Sequence, residues 1–362
     1  MLKRIARCWY VALMVVCVIG TYLPEAGAAC VVETLSSETE TGIVVHLSPT
    51  CSPAEREAHA VPSATVMDAI AKGRPVDLTG VIVRGDLIFD TLAVDTPSNL
   101  QRAVPETRTQ GGHADDDEQR LVRAVLRIRD SVVLGALRHH SAKGTLRFEG
   151  PVDFQGSRFK QGVDLSRSVF RGPVELSGAI FEKEAFFVHG QFAREVGCRE
   201  TRFGPSTRFH QSTFGASVDC TGALFDGMAE FLEVSFEQPA VFERSRFGSG
   251  TGFSGSRFKS RINFGDAIFS RETYFGFAVF ESEVVFAGAQ FLGPTDFSSA
   301  EFRQRDDLVK ARFDQPPLLA QTKRLEQDQS SGLAQTRTGQ YALTVTFLVV
   351  AALLVAYAIR LK

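Results

Sequence analysis

Acidic side chains recur at one position of a long repeated segment of this 362-residue chain. Paired carboxylates perform glycoside hydrolysis, so this role is considered for Asp153 and Glu175, which are 22 residues apart. Nothing in the spacing selects this pair over another, and the sequence assigns no catalytic residue. The acidic residues that directly precede an apolar position of the repeat are Asp153, Asp164, Glu175, Asp219, Glu230 and Asp296.

Histidines and an acidic run are the other residues that could bind a metal or transfer protons. His139 and His140 have no partner at metal-ligand spacing, and His189 and His210 are out of step with the repeat. The acidic run at 115–118 lacks the alternating ligands and turn glycine of a calcium loop. The sequence also lacks a phosphate-binding glycine loop and a zinc-protease motif. We therefore predict no enzymatic activity, no cofactor and no metal.

Four cysteines are candidates for structural disulfides. Cys30 and Cys51 lie just after an export-type segment, and an oxidising compartment would allow them to pair. Cys198 and Cys220 are 22 residues apart at equivalent positions of the repeat. In a fold with a turn of that length they stack about 4.8 Å apart, which is within disulfide reach. Two buried free thiols are the alternative for this second pair.

The repeated segment runs from Phe148 to Phe313 and places a Phe at every eleventh residue, 16 times. A second apolar residue divides each interval, so apolar positions alternate at spacings of five and six. Neither a helix nor a flat strand has this period, so we predict short strands joined by tight corners. We expect glycines at the corners to adopt backbone angles that other residues avoid. These are Gly156, Gly172, Gly204, Gly215, Gly248 and Gly293.

The units Ser-Arg-Phe-Lys-Gln at 157–161 and Val-Asp-Leu-Ser-Arg at 163–167 show the local motif. A small and a polar residue precede Leu or Phe, and two variable residues follow. On these units and their copy number, the chain resembles the pentapeptide-repeat family in a Phe-rich variant. The resemblance implies an all-β solenoid, a right-handed quadrilateral β-helix. The extra residue in every second unit departs from the family's usual pattern and predicts a coil of about 22 residues. We expect eight coils or slightly fewer, roughly 35–40 Å long. The predicted core stack is Phe159, Phe181, Phe203, Phe225, Phe247, Phe269 and Phe291.

Composition divides the rest of the chain into flanking segments. The start is typical of a signal peptide, with an uncleaved anchor or a lipoprotein site at Cys30 as alternatives. Two short helices are expected in the cap, the first beginning after Ser52, and Pro316 with Pro317 is expected to end the coils. The predicted segments are a signal peptide or anchor at 1–29, an N-terminal cap at 30–75, first coils at 76–147 with inserted loops at 93–120 and 138–145, the main β-helix at 148–315, a spacer at 316–340 and a transmembrane helix at 341–359.

The charge distribution bears on location and partners. The net charge of −2 favours no nucleic-acid partner, and a cluster of basic residues from 244 to 261 is expected to be a solvated face. We predict a bacterial, membrane-anchored scaffold or protein-interaction rod with an extracytoplasmic, periplasmic repeat domain. Its partners are the membrane, through the C-terminal helix, and a protein the sequence does not identify. It is single-pass, or two-pass if the signal is uncleaved. The alternatives are an envelope polysaccharide-active β-helix enzyme and a DNA-mimic topoisomerase-binding protein.

Overall fold

The computed structural model describes residues 29–35, 42–95, 118–139 and 144–325. Over these residues the chain winds into a solenoid with four sides, each a largely parallel β-sheet, named here sheets A to D in the order in which a coil meets them. Sheets A, B and D have 11 strands each, which makes about 11 coils. Neighbouring strands of a sheet are one coil apart along the chain, so that Phe159 lies beside Phe181 and Phe181 beside Phe203. This register confirms the predicted all-β solenoid and the predicted length of its coil.

The strands of the repeat are mostly two residues long. Sheet A contains Val32–Leu35, Ile43–Leu47, Val76–Thr79, Leu126–Arg129, Val152–Asp153, Val174–Glu175, Val196–Gly197, Val218–Asp219, Ala240–Val241, Ile262–Asn263 and Val284–Val285. Sheet B contains Val61–Pro62, Ile82–Arg84, Val132–Val133, Arg158–Phe159, Ile180–Phe181, Arg202–Phe203, Leu224–Phe225, Arg246–Phe247, Ile268–Phe269, Gln290–Phe291 and Arg312–Phe313. Sheet C contains Leu87–Ile88, Leu137–Arg138, Val163–Asp164, Ala185–Phe186, Ser206–Arg208, Met228–Glu230, Thr251–Gly252, Thr273–Tyr274 and Thr295–Asp296. Sheet D contains Val94–Asp95, Gln119–Val122, Thr145–Phe148, Ser168–Phe170, Gln191–Phe192, Thr213–Phe214, Ser235–Phe236, Arg257–Phe258, Val279–Phe280, Glu301–Phe302 and Lys323–Arg324.

Phenylalanine columns fill the interior along sheets B and D. The sheet B column contains the seven predicted stack residues, and the centroids of successive rings lie between 4.6 Å (Phe269 to Phe291) and 5.3 Å (Phe181 to Phe203) apart. Their planes are parallel within 7°. The coil spacing of about 4.8 Å sets this distance, and parallel rings at such a distance are favourable when offset.

Small residues next to the Phe columns also bind the backbone. The hydroxyl of Ser157 donates to the carbonyl of Ile128 at 2.7 Å, and that of Thr201 donates to Leu176 at 2.8 Å. Ser245 repeats the bond to the carbonyl of Cys220 at 2.7 Å. These side chains are buried, so each bond satisfies a polar group that would otherwise lack water. A small residue therefore leaves room for the ring and, when it is Ser or Thr, also links adjacent coils.

The left-handed corners follow one register position. Every non-glycine residue with positive φ in the described ranges lies two residues after the second apolar position of its unit. They are Asp130, Arg167, His189, Glu200, Gln211, Glu233, Arg244, Asp266, Phe277, Ser299 and Gln321. Because the coil geometry imposes this conformation on whatever residue is present, glycine is not required at these corners.

The expectation for the corner glycines is therefore wrong for most of them. Gly156 has φ of 64°, but the other five predicted corner glycines are not among the residues with positive φ. These positions require glycine because the backbones of neighbouring coils approach closely there. A Cβ on Gly172 would lie 2.7 Å from the carbonyl carbon of Gly150. A Cβ on Gly248 would lie 2.7 Å from the carbonyl oxygen of Asp226. These glycines let neighbouring coils touch.

The cap closes the N-terminal end. Its first helix, Pro53–Ala58, begins with a capping box in which Ser52 and Glu55 bond each other's backbone N–H. The second helix, Ser63–Ala71, buries Val66, Ala69 and Ile70 in the core. Strand Ile43–Leu47 pairs in parallel with Val76–Thr79 and antiparallel with Val32–Leu35. Cap and rod therefore share sheet A.

Two predicted boundaries are wrong. The coils do not end at Pro316 and Pro317, because Leu318 bridges to Asp296 and Lys323–Arg324 pairs with Glu301–Phe302. Proline lacks only the N–H donor, and Pro294, one coil before Pro316, already occupies the same corner. The coils therefore continue past the Phe repeat at this end, and together with the first coils before residue 148 they number about 11.

The first inserted loop is also shorter than predicted. Its ends, Val94–Asp95 and Gln119–Val122, form an antiparallel pair within the predicted range 93–120. The described ranges also contain the 3₁₀ helices Phe89–Thr91 and Leu308–Lys310. The predicted signal segment before residue 29, the last part of the spacer and the segment at 341–359 lie outside the described residues. Within the described ranges, no helix is long and apolar enough to cross a membrane.

Candidate binding groove

The acidic residues singled out in the repeat mostly close the corners that follow sheets A and C. Each carboxylate oxygen accepts a hydrogen bond from the backbone N–H two residues later. These bonds are Asp153 to Gln155 at 3.1 Å, Asp164 to Ser166 at 3.0 Å, Glu175 to Ser177 at 2.7 Å, Asp219 to Thr221 at 3.0 Å and Asp296 to Ser298 at 2.7 Å. A side chain that mimics a turn in this way is a common structural use of such residues.

The remaining contacts of these acids are ion pairs. Asp153 is buried and accepts from Arg129 Nε at 2.6 Å. Glu230 accepts from Arg208 Nε at 2.9 Å, and His210 Nε2 lies 3.2 Å from the same carboxylate. Although Asp153 and Glu175 are adjacent in register, each is engaged in structural bonds. The arrangement assigns no catalytic pair.

The histidines do not gather into a metal site. His189 and His210 lie in adjacent coils, and the N–H of His189 donates to the carbonyl of His210 at 2.8 Å. In the described part of the chain, no group of three or more His, Cys, Asp or Glu side chains could hold a metal.

His139 has a structural role that the sequence did not reveal. It is 2 % exposed, and its Nδ1 lies 3.0 Å from Asp90 Oδ1. Its Nε2 lies 3.2 Å from the carbonyl oxygen of Gly144. The imidazole therefore joins the residues on either side of one inserted loop to the preceding coil. The only available signal was its position beside that loop.

Both cysteine pairs are disulfide-bonded. Cys30–Cys51 ties the first described strand to the start of the first helix, with a Cα–Cα distance of 4.4 Å. Cys198–Cys220 joins neighbouring coils, also at 4.4 Å, in the position that Phe242 and Phe264 occupy farther along the rod. The sequence left free thiols open for this second pair. Two structural disulfides are typical of an oxidising compartment outside the cytoplasm.

A recess on the outer surface lies along the edge between sheets B and C. We call it the edge groove, a depression of about 840 Å³. Three consecutive coils have small or side-chain-free residues at this edge, so the surface recedes across roughly 14 Å along the rod. Its floor contains Gly204, Pro205, Gly227, Gly248 and Ser249, and its walls contain Arg158, Ile180, Glu182, Arg202, Asp226 and Arg271.

A second depression of about 530 Å³ continues along the same edge towards the N-terminus. It is lined by residues that include Gly135, Arg138, Gly162 and Glu184. The charged residues 182–184 lie where the two depressions meet, since Glu182 lines the first and Glu184 lines the second. The edge therefore offers an extended, interrupted channel rather than a closed pocket.

The charges of the edge groove are mostly fixed in pairs. Arg202 Nε lies 2.6 Å from Asp226 Oδ2, and Glu182 accepts from Lys160 at 2.6 Å and from Arg158 at 3.3 Å. The hydrogen bond from Lys160 is the main cause that lowers the pKa of Glu182. Arg271 makes no ion pair within the described residues. The groove thus presents a set pattern of charges and one guanidinium available to a carboxylate.

The predicted basic cluster does not form one face of the rod, because Arg246 lies in sheet B and Arg257 lies in sheet D. Lys259 Nζ lies 2.7 Å from Glu237, Arg257 Nε lies 2.7 Å from Glu281, and Arg261 lies 3.2 Å from its acidic neighbour. Surface pairs of this kind contribute little stability.

Comparison with known proteins agrees with this geometry. A family model described as pentapeptide repeats matches residues 147–191 and 231–279 in nine copies. No curated protein and no solved structure matches the chain. The coil register continues without a break through residues 192–230, between the two matched segments. The nine matched copies and the four-sided solenoid show that this chain contains pentapeptide repeats.

Proposed function

We propose that this protein is a membrane-anchored, extracytoplasmic scaffold whose edge groove binds a protein partner. The fold itself supports a scaffold, because a pentapeptide-repeat solenoid generally serves a structural or interaction role. The two disulfides favour an oxidising compartment. The basic and apolar start of the chain and the 19 uncharged residues at 341–359 favour export and a membrane anchor.

The observation that carries the binding role is the edge groove. Stacked coils give the rod a regular surface, and this edge is where three consecutive coils lack side chains of ordinary size. The open recess with fixed, paired charges suits a protein surface, since complementary charges confer specificity and orientation on such contacts. Arg271 gives the partner a place for a carboxylate.

Site-specific photo-crosslinking tests this proposal in intact cells. The photoreactive residue p-benzoylphenylalanine is placed at Ser249, in the groove, and in a separate variant at Ser260. Ser260 is a matched control, because both serines are partly buried and lie two residues after a core Phe, on opposite edges of the rod. We expect a discrete protein adduct from position 249 and none from position 260.

A filling substitution provides the second arm. A Cβ on Gly250 would have no atom within 4 Å, so Gly250→Lys should obstruct the groove without disturbing the core. We expect this change to abolish the adduct at position 249, and Arg271→Glu to weaken it. Equal adducts at both serines, or a saccharide adduct in place of a protein, would contradict the proposed partner class.

A further inference from the structure

The last coil of the rod exposes an unusual set of apolar side chains. We call residues 303–325 the C-terminal rim. Val309 is 76 % exposed, Leu318 is 61 % exposed and Leu325 is 54 % exposed. Leu319, which occupies a core position of the last coil, is 41 % exposed. Elsewhere in the described ranges, large apolar residues with this exposure are single or, at Tyr274 and Phe277, two close together, so the rim has the largest group of them along the chain.

The rim is also basic within an acidic chain. Residues 303–325 contain six Lys or Arg and three Asp, a net charge of +3, whereas the whole chain has a net charge of −2. The basic residues are Arg303, Arg305, Lys310, Arg312, Lys323 and Arg324, and the acidic ones are Asp306, Asp307 and Asp314. Exposed Leu and Val beside Lys and Arg is the composition that binds anionic lipid surfaces.

The end of the core argues against a second copy of the rod as the partner. Asp306 bridges to Val284 in sheet A, and Arg324 pairs with Phe302 in sheet D, so the two charged residues end columns of apolar ones. Arg324 and Asp306 form an ion pair across the rod end, with Arg324 Nε 2.9 Å from Asp306 Oδ2. Coil-on-coil stacking of another molecule would bury this pair in a dry interface, which is costly.

The course of the chain places this end nearest to the bilayer. The described rod ends at residue 325, and only residues 326–340 separate it from the uncharged segment at 341–359. A connection of that length, fully extended, spans at most about 50 Å. The opposite end of an 11-coil rod lies about another 50 Å away. The rim is therefore the end of the rod that the proposed anchor would keep nearer to the membrane.

We propose that the C-terminal rim rests on an anionic phospholipid surface, with its leucine side chains at the headgroup level and its basic side chains among lipid phosphates. This inference rests on the proposed membrane anchor. The rod then stands on the bilayer and holds the edge groove away from it, rather than lying flat.

Depth-sensitive quenching of tryptophan fluorescence tests the contact. The full chain is reconstituted into vesicles of phosphatidylglycerol and phosphatidylcholine with brominated acyl chains, in a Trp9→Phe background because Trp9 is the single Trp. One variant carries Leu318→Trp at the rim, and the control carries Val31→Trp at the opposite end, where Val31 is 56 % exposed. We expect loss of emission for the rim variant and full emission for the control.

Two further arms separate the possible failures. Lys310→Glu with Arg312→Glu and Lys323→Glu should remove the quenching of the rim tryptophan, while the chain still floats with the vesicles. If the chain floats with the vesicles but the rim tryptophan is not quenched, or if both variants are quenched equally, the proposed rim contact is overturned. The proposed anchor is unaffected by either result. Failure of the full chain to float with vesicles would overturn both the anchor and the rim contact.

Discussion

Removing one ring from the middle of a Phe column tests whether the columns hold the rod together. Phe236 is 1 % exposed, and its ring stacks on Phe214 at 5.0 Å and on Phe258 at 5.1 Å. Phe→Ala in a packed core costs about 3–5 kcal/mol, and each stacked pair contributes about 0.5–1.5 kcal/mol beyond area burial. We therefore expect Phe236→Ala to lower the free energy of unfolding by a value in the upper half of that range.

A terminal ring is the matched control. Phe313 is only partly buried and stacks on a single neighbour, Phe291, at 4.7 Å. Phe313→Ala should cost about 1–2 kcal/mol, because less apolar area leaves water there. Urea unfolding of both variants, with hydrogen exchange as a coil-by-coil readout, measures the two losses. A loss under about 1 kcal/mol for Phe236→Ala, or equal losses at both sites, would refute the column argument.

Three further changes test the remaining supports of the fold. Replacing both Cys198 and Cys220 with Ser should lower the free energy of unfolding by about 3 kcal/mol for the 22-residue loop, and non-reducing peptide mapping of the native chain should recover the linked peptide. Arg324→Ala removes the guanidinium that pairs with the Asp306 carboxylate, whose side chain is 3 % exposed. This change should lower the free energy of unfolding by about 3 kcal/mol. Thermal unfolding of this variant and of Asp306→Asn measures the loss. Burial raises the pKa of Asp77, but hydrogen bonds from a neighbouring imidazole and guanidinium more than offset this and lower it. Because the pKa of Asp77 is lower in the folded chain, its ionised carboxylate stabilises the fold at pH values above the ordinary carboxyl pKa of about 3.9. This stabilisation is lost as the pH falls through the folded pKa. Asp77→Asn should therefore reduce the loss of stability measured on acidification.

Periodicity alone determined the interior of this protein. A Phe at every eleventh residue leaves one arrangement in which all rings are inside, because a shift of one residue would turn a whole side outward. The pairing of Phe159 with Phe181 follows directly from that period. The helix after Ser52 could also be predicted, since capping is local chemistry.

The errors came from features that no local pattern encodes. Pro316 and Pro317 indicated an end of the coils, although in this fold the corner needs no N–H donor at that point. Gly172 indicated a turn, but its contact is with Gly150 in the previous coil, and sequence alone does not show how closely two coils approach. The edge groove likewise depends on three corners that stack in space while lying a full coil apart along the chain.

Departures from the repeat therefore contain the information about function. Where the period is kept, a residue's type is explained by the ring or turn it supplies, as with Phe236 or Asp219. Where small corner residues stack over several coils, as at Gly204 and Pro205, close backbone approach accounts for the glycine, and the stacked corners also leave a recess that a partner can enter. Where the period is broken inward, as at Arg324, an apolar column ends in the last described coil. The groove therefore selects what binds, and the rim sets how far from the end of the rod the partner binds. Groove and rim variants should consequently act independently. Filling the groove should leave lipid contact unchanged, and charge reversal at the rim should leave the groove adduct intact.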